Sequence, residues 1–62
     1  MNKAERYIRS AINRAASDGL YEIPVEKTLI SKELILKLMD EGYRISEWRD
    51  NLIIDWSILG RD

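Results

Sequence analysis

Sixty-two residues, 34% of them charged and 45% hydrophobic, carry no cysteine, no histidine and a formal charge of −1. A chain this short buries only about 60% of the surface its unfolded form exposes, which allows one small domain and little depth for an active site. The missing residue types exclude disulfides, thiolate nucleophiles, sulfur-bound metals and a neutral-pH imidazole base, so no catalytic residue, metal or cofactor is expected.

Ala4, Tyr7, Ile8, Ala11, Ile12, Ala15 and Ala16 recur at helical spacing, with Arg6, Arg9, Ser10, Asn13 and Arg14 between them. This predicts an amphipathic helix over 2–17, closed by Gly19 as a C-cap. Leu20 to Val25 alternates, with Tyr21, Ile23 and Val25 on one side, which predicts a strand over 20–25. Pro24 cannot donate to a ladder, so that strand belongs at an edge with the proline nitrogen outward. Ser31 is a favourable N-cap, Glu33 suits the first helical turn and Gly42 suits a C-cap, giving a second helix over 32–41. Its stripe is Leu34, Ile35, Leu38 and Met39, with Ile30 as a staple and Glu33 to Lys37 as an i, i+4 pair.

Two strand-like runs, 43–48 and 52–58, flank Arg49-Asp50-Asn51 and predict a hairpin. A three-residue loop would mix polar and apolar residues on both faces. With Asp50-Asn51 as a two-residue type I′ turn, Trp48 opposes Ile53, Ile45 opposes Trp56 and Tyr43 opposes Ile58. One face then holds Tyr43, Ile45, Leu52, Ile54, Trp56 and Ile58, with Glu47 its only polar member. Tyr7, Tyr43 and Trp56 fall on core faces, and Tyr21 at the margin of the core. Leu52-Ile53-Ile54 is apolar on both sides, which puts the last strand in the middle. The expected architecture is a two-layer α+β domain in the order α-β-α-β-β. It has a three-stranded mixed sheet of order 1-3-2, both helices on one face, and a right-handed crossover through the second helix. The tail, Leu59-Gly60-Arg61-Asp62, reads as a frayed end.

On the hairpin's outer face Trp48 and Ile53 are left without helix cover, flanked by Arg44, Ser46, Asp55 and Ser57. Apolar anchors ringed by polar groups have the composition of a protein interface. Trp48, Ile53, Arg44 and Asp55 are therefore the candidate partner-binding residues, with Leu20 or Glu22 nearby. A second candidate is the first helix. Residues 1–17 carry a net +3 and residues 18–62 a net −4, so Lys3, Arg6, Arg9 and Arg14 form a basic face able to meet phosphates. No helix-turn-helix, zinc-finger or RNA-binding-sheet signature accompanies it. Asp40 and Glu41 are adjacent on a helix and do not face one another, so they read as a solvated terminus rather than an acid/base pair. Gly19, Gly42 and Gly60 are isolated and form no phosphate loop, and the serines have no histidine to activate them.

Ile12 with Ala15, Ala16 and Gly19, then Tyr21-Glu22-Ile23, Ser31 opening a helix, Gly42-Tyr43-Arg44-Ile45 and Ile53-Ile54-Asp55-Trp56-Ser57 together resemble small accessory and virion proteins of bacteriophages. The resemblance spans nearly the whole chain and implies a setting, in a host cytoplasm or a virion, without an activity. Met1 to Arg9 lacks the apolar core of a signal peptide, and no apolar run approaches the roughly 20 residues of a membrane helix, so neither secretion nor membrane insertion is expected. Taken together, the residues predict a non-enzymatic protein–protein interaction module whose partner is another protein or a second copy of itself. Nucleic-acid binding through the first helix is the alternative.

Overall fold

The computed structural model describes residues 3–59. The expected helix start at Asn2 and the frayed end at 60–62 lie outside them. Two helices, α1 (Lys3–Ser17) and α2 (Lys32–Asp40), pack on a sheet of β1 (Glu22–Glu26), β2 (Arg44–Trp48) and β3 (Asn51–Asp55). A single 3-10 turn over Lys27–Leu29, for which the sequence carries no helical periodicity, leads from β1 towards α2. The strand order is β1-β3-β2, as expected, but the sheet is antiparallel throughout rather than mixed, because β1 and β2, which point the same way, each pair only with β3 between them.

Both helices end in the expected glycine caps. The Leu20 N–H donates to Ala15 O and that of Gly19 to Ala16 O. After α2, Tyr43 donates to Leu38 O and Gly42 to Met39 O. These paired bonds are Schellman motifs, and they require the positive φ of Gly19 (82°) and Gly42 (104°). Ser31 caps α2 by accepting from the Leu34 N–H at 3.1 Å.

The core lies between the helices and one sheet face: Ile8, Ile12 and Ala15 of α1, Leu34 and Leu38 of α2, and Ile23, Val25, Leu52 and Ile54 of the sheet, closed by Ile30 and Trp56. Tyr43 and Ile45 pack against it half-buried. Pro24 is in the edge strand β1. Trp56 donates to Tyr21 O and Lys27 to Asp50 O, so by the antiparallel alternation the backbone groups of odd residues 21–27 face β3 and the Pro24 nitrogen faces outward.

Six core expectations fail, at Ala4, Tyr7, Ala16, Tyr21, Met39 and Ile58. Tyr7 is 63% exposed and Tyr21 64%, and Met39 and Ile58 are also exposed. In α1 the buried set is Glu5, Ile8, Ile12 and Ala15, rotated from the alanine stripe so that Ala4, Tyr7 and Ala16 face solvent. β1 begins at Glu22, which leaves Tyr21 before the ladder, and β3 ends at Asp55, so Ile58 lies in the turn that follows.

The hairpin register also differs. Arg49-Asp50 forms the turn, Trp48 opposes Asn51, Ser46 opposes Ile53 and Ile45 opposes Ile54. This is a shift of two residues, so each side chain keeps its expected face. Only Arg49 of the two turn residues has a positive φ (59°), the φ signature of a type II′ rather than a type I′ turn.

Leu38 is fully buried, whereas Leu36, on the same helix, is exposed. Leu38→Ala is expected to cost about 2–5 kcal/mol, comparable to the whole stability of a domain this small, and to leave the chain largely unfolded. Leu36→Ala should stay within about 0.5 kcal/mol of the wild type. Urea unfolding followed by far-UV circular dichroism separates the two.

Candidate functional site

Strand alternation leaves nine residues on the sheet face opposite the helices. In rows across β1, β3 and β2 they are Glu22, Asp55 and Arg44, then Pro24, Ile53 and Ser46, then Glu26, Asn51 and Trp48. Among the described residues no helix covers this face, because α1 and α2 share the other one. Four predicted partner-binding residues, Trp48, Ile53, Arg44 and Asp55, are thus on one surface, and Glu22 joins them. Leu20 does not. It lines a separate depression with Tyr7, Ala11 and Arg14 beside α1.

Trp48 is 58% exposed and Ile53 half-buried. The register shift makes them diagonal neighbours rather than a facing pair, and both line a shallow depression of about 560 Å³ with Pro24, Ser46 and Asp55. The Arg49 guanidinium stacks over the Trp48 ring, 4.7 Å from its centroid. Asp55 lies directly across from Arg44 and accepts the Ser57 N–H at 2.7 Å. That backbone hydrogen bond, helped by the Ser57 side chain and the Arg44 charge, holds its carboxyl below the usual range. Ser46 lies on this surface as expected; Pro24, Glu26 and Asn51 were missed as members of it, although the alternation of Glu22, Pro24 and Glu26 with Ile23 and Val25 already placed three of the β1 positions together.

The basic face of α1 is divided. Arg9 Nε donates to Glu5 at 3.0 Å, and its two terminal nitrogens reach Glu41 at 3.1 and 2.7 Å. Lys37 reaches the same Glu5 oxygen at 3.2 Å. The four groups tie α1 to α2 across 32 residues of sequence. Arg9 is therefore held in the fold, and Glu41, exposed at the end of α2 as expected, is also its ion-pair partner. Lys37 meets Glu5 in place of the expected Glu33. Lys3, Arg6 and Arg14 are exposed on the outward side of α1.

Hydrogen bonds from Arg9, with further help from Lys37 at Glu5, hold the Glu5 and Glu41 carboxyls below their usual range and raise Arg9. Lys27 does the same to Glu47 across a 2.6 Å contact near the hairpin turn. Among the described residues no group of three or more acidic side chains is arranged to hold a metal ion. No helix there is long and apolar enough to cross a membrane. No family model, curated protein or solved structure matches the chain.

Arg9→Ala leaves Glu5 and Glu41 without their shared donor and is expected to destabilise by roughly 1–3 kcal/mol, against about 0.5 kcal/mol or less for Arg6→Ala. Thermal melts of the two variants check this.

The pH dependence has a definite sign. Glu5, Glu41, Glu47 and Asp55 are all depressed in the folded chain, so the unfolded chain binds more protons in acid. Their stabilisation is present above the unfolded carboxylate range of about 4 to 4.5 and is lost as pH falls through the lower folded values. Melting temperature should hold from neutral pH down to about 5 and then fall. Glu41→Gln should make that fall shallower, as read by circular dichroism at stepped pH.

Proposed function

We propose that this chain is a non-enzymatic protein-binding module that docks its partner on the open sheet face. The observation that carries the reading is Trp48, more than half exposed on a face no helix covers, beside the half-buried Ile53. Large aromatic side chains in a shallow depression surrounded by polar groups are the usual anchors of protein interfaces. Trp48 and Ile53 supply the apolar contact, while Arg44 and Asp55 orient the partner through charge. Arg49 stacked on Trp48 holds the indole in one position, which lowers the ordering cost of binding.

The whole-chain resemblance supports a bacteriophage setting, either as a minor virion component or as a modulator of a host protein. Arg9's engagement with Glu5 and Glu41 weighs against the basic helix as the working surface, since one of its four cations is already spent inside the fold.

Trp48→Ala and Ser46→Arg change only the outer face. Both are expected to melt within about 4 °C of the wild type, yet to lose partner capture by the immobilised chain. Arg6→Glu and Arg14→Glu should retain it. Unchanged capture by both outer-face variants rejects the reading. Loss on the helix variants instead, with affinity falling steeply in salt, moves binding to phosphate contacts on α1.

A further inference from the structure

We infer that the protein seated on the open sheet face is a second copy of this chain, packed face to face about a two-fold axis that runs along β3. The inference rests on that face being the docking site and adds the identity of its occupant.

The support is the placement of charge. On the outer face the acids Glu22 and Glu26 stand on β1 and Arg44 on β2, with Arg49 of the following turn stacked on Trp48; β3, carrying Asp55 beside Arg44, separates the two edges. None of Glu22, Glu26, Arg44 and Arg49 has an ion pair among the described residues, whereas Glu5, Arg9, Lys27, Lys37, Glu41 and Glu47 are all paired elsewhere. A two-fold interface uses the same patch twice and must therefore be complementary to itself. A face that is acidic on one edge strand and basic on the other meets this condition when each copy's β1 lies over the other's β2.

The rows of the sheet then fix the contacts. A two-fold axis along β3 keeps each row level and exchanges its ends. Glu22 of one copy faces Arg44 of the second, Glu26 faces Trp48 with Arg49 above it, Pro24 faces Ser46, and Ile53 meets Ile53 at the centre. Turning the axis by a quarter, across the strands, would put Glu22 against Glu26 and is disfavoured by like charge. Asp55 approaches its own mate in the favoured arrangement, but its carboxylate is held by the Ser57 N–H and lies beside Arg44. Aligned sheets pack about 10 Å apart at roughly 30°, a spacing these side chains fill.

Nine outward residues give an interface well under the roughly 800 Å² per partner of a standard complex, so the dimer is weak and reversible. Sedimentation equilibrium from about 10 µM to 1 mM should show a concentration-dependent monomer–dimer exchange. Glu22→Arg alone and Arg44→Glu alone should each weaken it by at least about tenfold, because each sets like charges against one another twice. Mixing the two variants should restore a one-to-one dimer, since both contacts are then between opposite charges. In the wild type, amide shifts on dilution should concentrate at 22–26, 44–48 and 51–55, a readout that needs no variant to fold.

A wild type that stays monomeric to about 1 mM overturns the inference. So does a dimer indifferent to both single variants, or one whose dilution shifts lie on the helices. Failure here leaves the docking face itself to be judged separately, by capture of a foreign protein and its loss on Trp48→Ala. If that capture is also unaffected, both readings fall.

Discussion

The fold depends on one strand being apolar on both sides. β3 pairs with both of its neighbours, and Leu52 and Ile54 point into the helix-covered core while Ile53 points the other way. Two helices cover one face of three strands, and among the described residues no further element forms a third layer. The apolar run that makes β3 central therefore also leaves an apolar spot on the open face. Trp48 enlarges that spot from the neighbouring strand. An apolar group exposed on the open face is a direct consequence of how the core is built.

Helix α1 is set by a different interaction. Burying Glu5 at 7% exposure costs desolvation of a charge, which is offset because Arg9 and Lys37 both donate to it. Arg9 continues to Glu41 through two parallel bonds, a geometry the planar guanidinium favours. With Glu5 turned inward beside Ile8, Ile12 and Ala15, the helix rotates until Tyr7 leaves the core. Periodicity alone pointed the other way, since it scores Glu5 as solvent-facing and Tyr7 as buried. Arg9 lies one turn from Glu5, but Lys37, and the Glu41 that holds Arg9, are each 32 residues from their partner on α1, beyond what spacing within one helix can show.

Elements and strand faces were legible, as the buried face of α1 was not, because they depend on local signals: caps at Ser31, Gly19 and Gly42, alternation through Ile23 and Val25, and the proline that marks β1 as an edge. Register was not. A slip of two residues leaves every side chain on its own face, so the apolar pattern that excluded the three-residue loop has no power to choose between the two even-numbered alternatives. Turn propensity favoured Asp50-Asn51, whose side chains tolerate positive φ. In the structure Arg49 takes that conformation, and its stacking on Trp48, together with the bond from the Lys27 N–H to Asp50 O, supplies favourable contacts the turn residues alone do not reveal. The candidate surface survived the error because it is defined by parity rather than by register, although the facing pair of Trp48 and Ile53 became a diagonal one.

The charges complete the same logic. On the helix side and at the hairpin end, acids and bases meet within the chain. On the open face they are sorted by strand, with Glu22 about 10 Å, two strand spacings, from Arg44 and Glu26 farther off along β1. At that separation they do not pair directly, and the face keeps a dipole that runs across its strands. Two such dipoles stacked face to face are lowest in energy when antiparallel. That arrangement lays β1 over β2 and brings the Ile53 side chains together at the centre. Ile53, at the centre of the face, meets its mate whichever way the two-fold axis lies, so hydrophobic burial is satisfied by this geometry and the charge pairing selects it. The core leaves Ile53 and Trp48 uncovered, and the sorting of Glu22, Glu26 and Arg44 determines which way round a covering face would sit.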